Sequence, residues 1–163
     1  MIENDLQLIY QGKFEVIFPF VYLLGFAKLL PDQRPYISFG QVEFDPGGVS
    51  VKTIMTDEIK EISICLYKGI PDLDSSSKRL YFASGLIWVG ENGLSLSGDM
   101  GDDVHFPWPE GLTDILVELD DEEVKAKQVR NVVIYAEPYT KRVKKKYLSN
   151  FISILSGKGE FRP

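Results

Sequence analysis

Apolar and polar residues alternate along most of this chain. "DLQLIYQGKFEVIF" places Leu6, Leu8 and Tyr10 on one face and, after Gly12, continues with Phe14, Val16 and Phe18. Successive strand side chains point to opposite faces, so this rhythm predicts a half-buried β-strand rather than a helix. "YISFGQVEF" and "VSVKTIM" flank the turn cluster Asp45 to Gly48. They predict a hairpin, because proline presets one turn angle and glycine accepts positive φ. In "EIKEISICLY" the face with Lys60, Ile62, Ile64 and Leu66 is the more apolar one. "RLYFASGLIWV" and "LSLSG" are separated by Glu91-Asn92-Gly93, and Asn-Gly predicts a second hairpin. "LTDILVEL" and "VRNVVIYAEP" read as two further strands joined by the charged connection "DDEEVKAKQ".

The rhythm changes at the carboxyl end. Val143, Tyr147, Leu148, Phe151, Ile154 and Leu155 fall on one helical stripe, and Gly157 supplies a stop. A strand over Phe151 to Leu155 is the alternative, given its β-branched content. The order of elements predicts a mainly β protein. The expected architecture is an antiparallel β-sandwich or open barrel of about eight strands with a C-terminal helix. Residues 1–138 are expected to form the sandwich domain, and 139–163 a basic helical extension packed on the same domain.

With 163 residues the chain can bury one core without staples. The longest apolar stretch, "VIFPFVYLLGFAKLL", is interrupted by Pro19, Gly25 and Lys28, so it falls short of a membrane helix. The amino terminus has two acids before its first base and lacks the pattern of a secretory signal. Cys65 is the single cysteine, which rules out an intrachain disulfide and points to a cytoplasmic protein.

Charge alters this picture more than composition does. Residues 138–163 hold seven bases against Glu160, a net of +6; the whole chain carries −6, so residues 1–137 carry −12. Between Arg79 and Lys125 there is no Lys or Arg but there are eleven acids. Such a field repels nucleic acid and attracts basic surfaces.

The stretch "LSGDMGDDVHFPWPEGLTDILVELDDEE" concentrates the candidate chemistry. Asp99, Asp102, Asp103 and His105 offer ligands for a divalent cation, but their spacing matches neither a Ca²⁺ loop nor a His-x-x-x-His pair. No metal or cofactor is therefore expected. A hydrolase would have to use His105, the sole histidine, with Ser95, Ser97 or Cys65, and no nucleophile signature is present. Two carboxylates at a suitable separation would suffice for a glycosidase, which 24 acids make an uninformative condition. No glycine pattern suits a phosphate. The basic run "KRVKKK" reads either as a solvated helix flank or as an anion-binding patch.

"HFPWPEG" is the most partner-like feature. Pro107 and Pro109 stiffen the backbone around Trp108 and lower the entropy cost of presenting it. The competing reading is that Trp108 folds back to cap the sandwich, since tryptophans are mostly well buried.

Several patterns resemble the competence protein J family, small bacterial inhibitors of a DNA-entry nuclease. They are "LQLIY…KFEVIF", "GFA" at Gly25 to Ala27, "YISFGQVEF", "NGLSLSG", "PEGLTDILVEL" and a strand ending "VIYAEP". The resemblance spans roughly residues 5–138, leaves the basic tail outside, and assigns no individual residue. It implies a nuclease-binding or immunity-type protein, and the charge argument points the same way. The expectation is a non-catalytic acidic protein that neutralises a basic partner such as a nuclease or toxin. Asp99, Asp102, Asp103, Glu110 and Asp114 would supply carboxylates, with Trp108 as the apolar anchor. The alternative is a small metal-dependent or carbohydrate- or ligand-binding sandwich using the acids around His105.

Overall fold

In the computed structural model, the described residues are 6–16, 20–25, 40–45, 47–54, 58, 60–71, 80–98 and 103–139. They form ten strands and one short helix. One sheet, A, contains β1 (Gln7–Val16), β5 (Lys60–Lys68), β10 (Asn131–Pro138), β9 (Gly111–Asp120) and β6 (Leu80–Val89), in that order. The other, B, is ordered β3 (Val42–Asp45), β4 (Gly48–Lys52), β2 (Phe20–Leu24), β7 (Leu94–Ser97) and β8 (Asp103–Phe106). Helix α1 (Asp121–Lys125) joins β9 to β10.

The two sheets stack over a single main core. Ile62, Ile64 and Leu66 of β5 are fully buried there, on the face that the alternation marks as apolar. Ile115, Val117, Leu119, Val132 and Ile134 join them from sheet A, against Val21, Leu23, Val49, Val51, Leu94 and Leu96 from sheet B. Burying each such aliphatic side chain contributes about 1.5–3 kcal/mol, set against the entropy of ordering it.

The expected sandwich is present, with two strands more than the pattern predicts. β2 lies within the long apolar stretch; its residues are buried or nearly so on both faces, which erases the period-2 signal. β8 is a four-residue edge strand inside the acidic stretch, too short and too polar to announce itself. The sheets are not purely antiparallel either, since β10 runs parallel to β5. The predicted terminal helix lies outside the described residues.

Of the two predicted hairpins, one is present and one is corrected. The Asp45 to Gly48 turn does join paired strands, β3 and β4. The Asn92-Gly93 turn does not: β6 belongs to sheet A and β7 to sheet B. A two-residue hairpin turn of the Asn-Gly type needs positive φ at both central residues. Lys127 is the only non-glycine with positive φ among the described residues, so Asn92 does not adopt it, and Gly93 alone sits at φ 77°. The resulting turn, closed by Gly93 N–H to Gly90 O at 3.2 Å, carries the chain from one sheet to the other. The charged connection after β9 holds the short helix α1. Asp120 caps α1 by accepting a hydrogen bond from Glu123 N–H at 2.9 Å.

A bulge in β1 explains an exposed leucine. Leu8 pairs with Tyr67 and Tyr10 with Leu66, so Ile9 is an extra residue. The bulge reverses the phase of the alternation. Tyr10 packs inward against Phe14 and Phe106, with centroids 6.0 and 5.8 Å away, while Leu8 is left 47% exposed.

The connection from β5 to β6 prepares the outer face of sheet A. These strands are parallel and separated by β10 and β9, so the chain must cross two neighbours. Gly69, at φ 103° and donating its N–H to Ala136 O at 2.9 Å, starts that crossing. Ile70 then packs on Leu116, flanked by Phe82 and Tyr135, forming a second small apolar cluster.

Candidate protein-binding site

The described acids of the acidic stretch do not form one patch. Asp99 and Asp102 lie outside the described residues. Asp103 opens β8, is exposed, and accepts a hydrogen bond from Ser97 Oγ. Glu110 is exposed at the corner where the chain leaves sheet B for β9. Asp114 sits on the outer face of sheet A, because its neighbours Thr113 and Ile115 point into the sandwich.

Trp108 is only 9% exposed and belongs to the main core. Its indole N–H donates to Thr113 Oγ1 at 2.9 Å, and Lys68 Nζ lies 5.7 Å from the ring centroid. The two prolines therefore hold a plug in place at the end of the core, and the indole offers little area to a partner.

His105 lies across β7–β8 from Ser95. The Ser95 hydroxyl is fully buried and has no hydrogen-bond partner, so the pair does not form a nucleophile–base contact. Among the described residues no three His, Cys, Asp or Glu side chains converge as a metal site.

At the far end of β9 the acids serve the fold. Glu123 accepts from Arg130 N–H at 2.7 Å, Asn131 N–H at 3.2 Å and Asn131 Nδ2 at 3.1 Å, tying α1 to the start of β10. Asp121 pairs with Lys125 at 2.8 Å one helical turn away. Midway along the strand, Glu118 accepts a 2.7 Å hydrogen bond from Tyr135. Burial, and then that bond to a carboxylate, push the Tyr135 hydroxyl above its ordinary range.

The near end of β9 is different. Asp114 is 8% exposed, its Oδ2 has no hydrogen-bond partner, and it faces Glu137 directly across the β9–β10 ladder. On the other side its ladder partner is Leu86, and Leu112 and Leu116 flank it along the strand. Desolvation, reinforced by the Glu137 charge, raises its pKa from 3.8 to about 7. A carboxyl shifted this far by desolvation and a neighbouring charge marks a candidate functional position.

Beside it stands an aromatic that no sequence pattern singles out. Trp88 is 43% exposed on the same outer face, paired with Leu112 and two residues from Leu86. Its backbone is fixed from sheet B. Gly90 N–H donates to Gly25 O at 2.7 Å, and a Cβ on Gly25 would collide with the Trp88 carbonyl oxygen. "LIWV" reads as an ordinary strand, and only the edge position of β6 and the sheet's outer face leave the indole in solvent.

No protein-family model matches the chain, and no curated protein matches it. Its fold is similar to that of ComJ from Bacillus subtilis, an inhibitor of the DNA degrading activity of NucA. That structure aligns with a TM-score of 0.55 at 12% identity, covering 82% of this chain and 98% of ComJ. The crocagin biosynthetic gene J structure aligns with a TM-score of 0.51 at 9% identity, covering 85% of this chain and all of its own. The expected resemblance to the competence protein J family is thus present at the level of fold.

Proposed function

We propose that this protein binds a basic nuclease and blocks its action on DNA. The observation that carries the reading is the ComJ-like sandwich, whose solved counterpart inhibits a DNA-degrading enzyme. The strongly acidic body supports it, because a nuclease cleft is built to receive phosphate charge and a carboxylate surface can occupy it instead. Asp103, Glu110 and Asp114, with Asp99 and Asp102, are the proposed carboxylate contributors. Trp108 serves by bracing the corner from which Glu110 projects. The inhibitor acts by occupation, with no bond made or broken. A toxin with nuclease activity is a partner of the same chemistry.

The test is a DNA-cleavage assay with purified protein. It is titrated against NucA and against any nuclease that it retains from an extract of its source cells. Stoichiometric inhibition that weakens between 50 and 500 mM NaCl is the expected result. If every retained protein lacks nuclease activity and cleavage by NucA is untouched, the reading is wrong.

A further inference from the structure

Resting on the reading of this protein as an inhibitor of a basic partner, we infer that the partner docks on the outer face of sheet A. There Asp114 and Glu137 receive one of its arginine side chains, and Trp88 stacks against the guanidinium.

The charge on this face is one-sided. Glu15, Glu61, Asp114, Glu118 and Glu137 occupy outward strand positions, and among the described residues Lys13 is the only base there. Lys13 is already paired with Glu61 at 3.2 Å. Glu118 is bound to Tyr135, which leaves Asp114 and Glu137 as the pair with an unmet demand for a donor.

Carboxylate pairs on strand ladders are commonly solvated on both sides; here Asp114 is not. Asp114 is more than nine-tenths buried and still lacks a partner for Oδ2, and an unmade hydrogen bond to a buried group is destabilising. Glu137 is partly exposed directly across from it and gives the pair its solvent side. A cation placed beside Glu137 would cancel the mutual repulsion and, once the Asp114 carboxyl turns outward, satisfy the orphaned oxygen.

The occupant is an arginine rather than a small cation or a lysine because of what surrounds the pair. Two carboxylates on adjacent strands suit the planar fork of a guanidinium, which donates in two directions at once. Trp88 offers an exposed indole face on the neighbouring strand, and arginine stacks on aromatic rings while staying hydrogen-bonded. Tryptophan beside a desolvated charge is also the composition of a binding hot spot. The Gly25 contact holds Trp88 in position before a partner arrives.

Binding at this site is coupled to a proton. Among the described residues, the outward neighbours of Asp114 are Glu137 and Tyr135 on β10, Leu86 and Trp88 on β6, and Leu112 and Leu116 on its own strand, with Ile70 packed on Leu116 and Glu118 one step beyond. None of these is a base. Asp114 must be ionised to hold the guanidinium, so affinity rises as pH passes from 5 to 8.

Hexa-arginine and hexa-lysine peptides serve as probes, titrated into the full chain and followed by backbone amide NMR shifts. The expected shifts centre on Trp88, Asp114 and Glu137, with hexa-arginine binding several-fold more tightly than hexa-lysine. Asp114→Asn with Glu137→Gln weakens hexa-arginine at least tenfold, and Trp88→Ala weakens it by several-fold. Glu58→Gln with Glu122→Gln removes the same charge elsewhere and changes it less than twofold. The Asp114→Asn variant loses the rise in affinity between pH 5 and 8. Each variant is first checked for a native amide spectrum, and Asp114→Asn alone removes a destabilising charge. Equal loss in the two double variants, shifts centred on another face, or no binding of hexa-arginine would each overturn the docking site. The nuclease assay separates the two proposals. Inhibition unchanged by Asp114→Asn with Glu137→Gln removes the site and leaves the inhibitor, whereas arginine capture without nuclease inhibition does the reverse.

Discussion

The two ends of β9 carry similar residues and put them to opposite uses. At the α1 end, Asp120 caps a helix, Asp121 pairs with Lys125, and Glu123 gathers three donors from the start of β10. At the Gly111 end, Asp114 is buried against apolar neighbours with another acid across the ladder and an oxygen that nothing satisfies. Carboxylates of one chemistry thus divide into a set that stabilises the fold and a pair that destabilises it. The first set needs nothing from outside the chain, and the second is tolerable where a partner supplies the missing charge.

The largest expected effect comes from relieving the unsatisfied end. Asp114 has a folded pKa near 7 against 3.8 for the ordinary carboxyl. The folded state therefore holds the extra proton between these values, and stability is lost as pH rises through that window. About three units correspond to roughly 4 kcal/mol at most. Asp114→Asn should therefore be more stable than wild type by up to that amount at pH 8 and near parity at pH 3.5. Urea melts at both pH values read this directly. A variant that is less stable at pH 8 would erase the contrast between the two ends.

Gly25→Ala comes next. Its added Cβ meets the backbone carbonyl of Trp88, which cannot rotate away, so the sheets must part locally. A loss of about 2–3 kcal/mol is expected from overpacking of this kind. It should be accompanied by a change in Trp88 fluorescence, which a uniform loosening of the core would not single out.

At the satisfied end, Glu123→Ala strips three donors of their acceptor and should cost about 1.5–3 kcal/mol. Asp120→Ala removes one cap bond and should cost about 1 kcal/mol. Lys125→Ala breaks only a solvent-exposed pair and should leave the melting temperature unmoved. Thermal melts of the three variants rank them, and the reverse order would deny that Glu123 organises this end.

Much of the fold is legible in the amino-acid sequence. The core face of β5, the β3–β4 turn and the sandwich class follow from alternation and turn chemistry, which are local properties of the chain. β2 escapes because burial on both faces removes the alternation, and β8 because four polar-flanked residues carry too little pattern. Within the candidate site, charge alone marks Asp114 and Glu110. It does not mark Glu137, since 23 residues separate it from Asp114 and only the β9–β10 register brings them together. Of the two tryptophans, the prolines draw attention to Trp108, and the fold buries that one and exposes Trp88.

The sequence by itself determined a β-rich sandwich, an acidic body and a basic tail, because period, turn residues and net charge are set residue by residue. Which acids are satisfied, and which tryptophan meets solvent, was decided by the tertiary structure. Hydrogen-bond partners and solvent access depend on strand order and register, and these juxtapose residues that no local pattern connects.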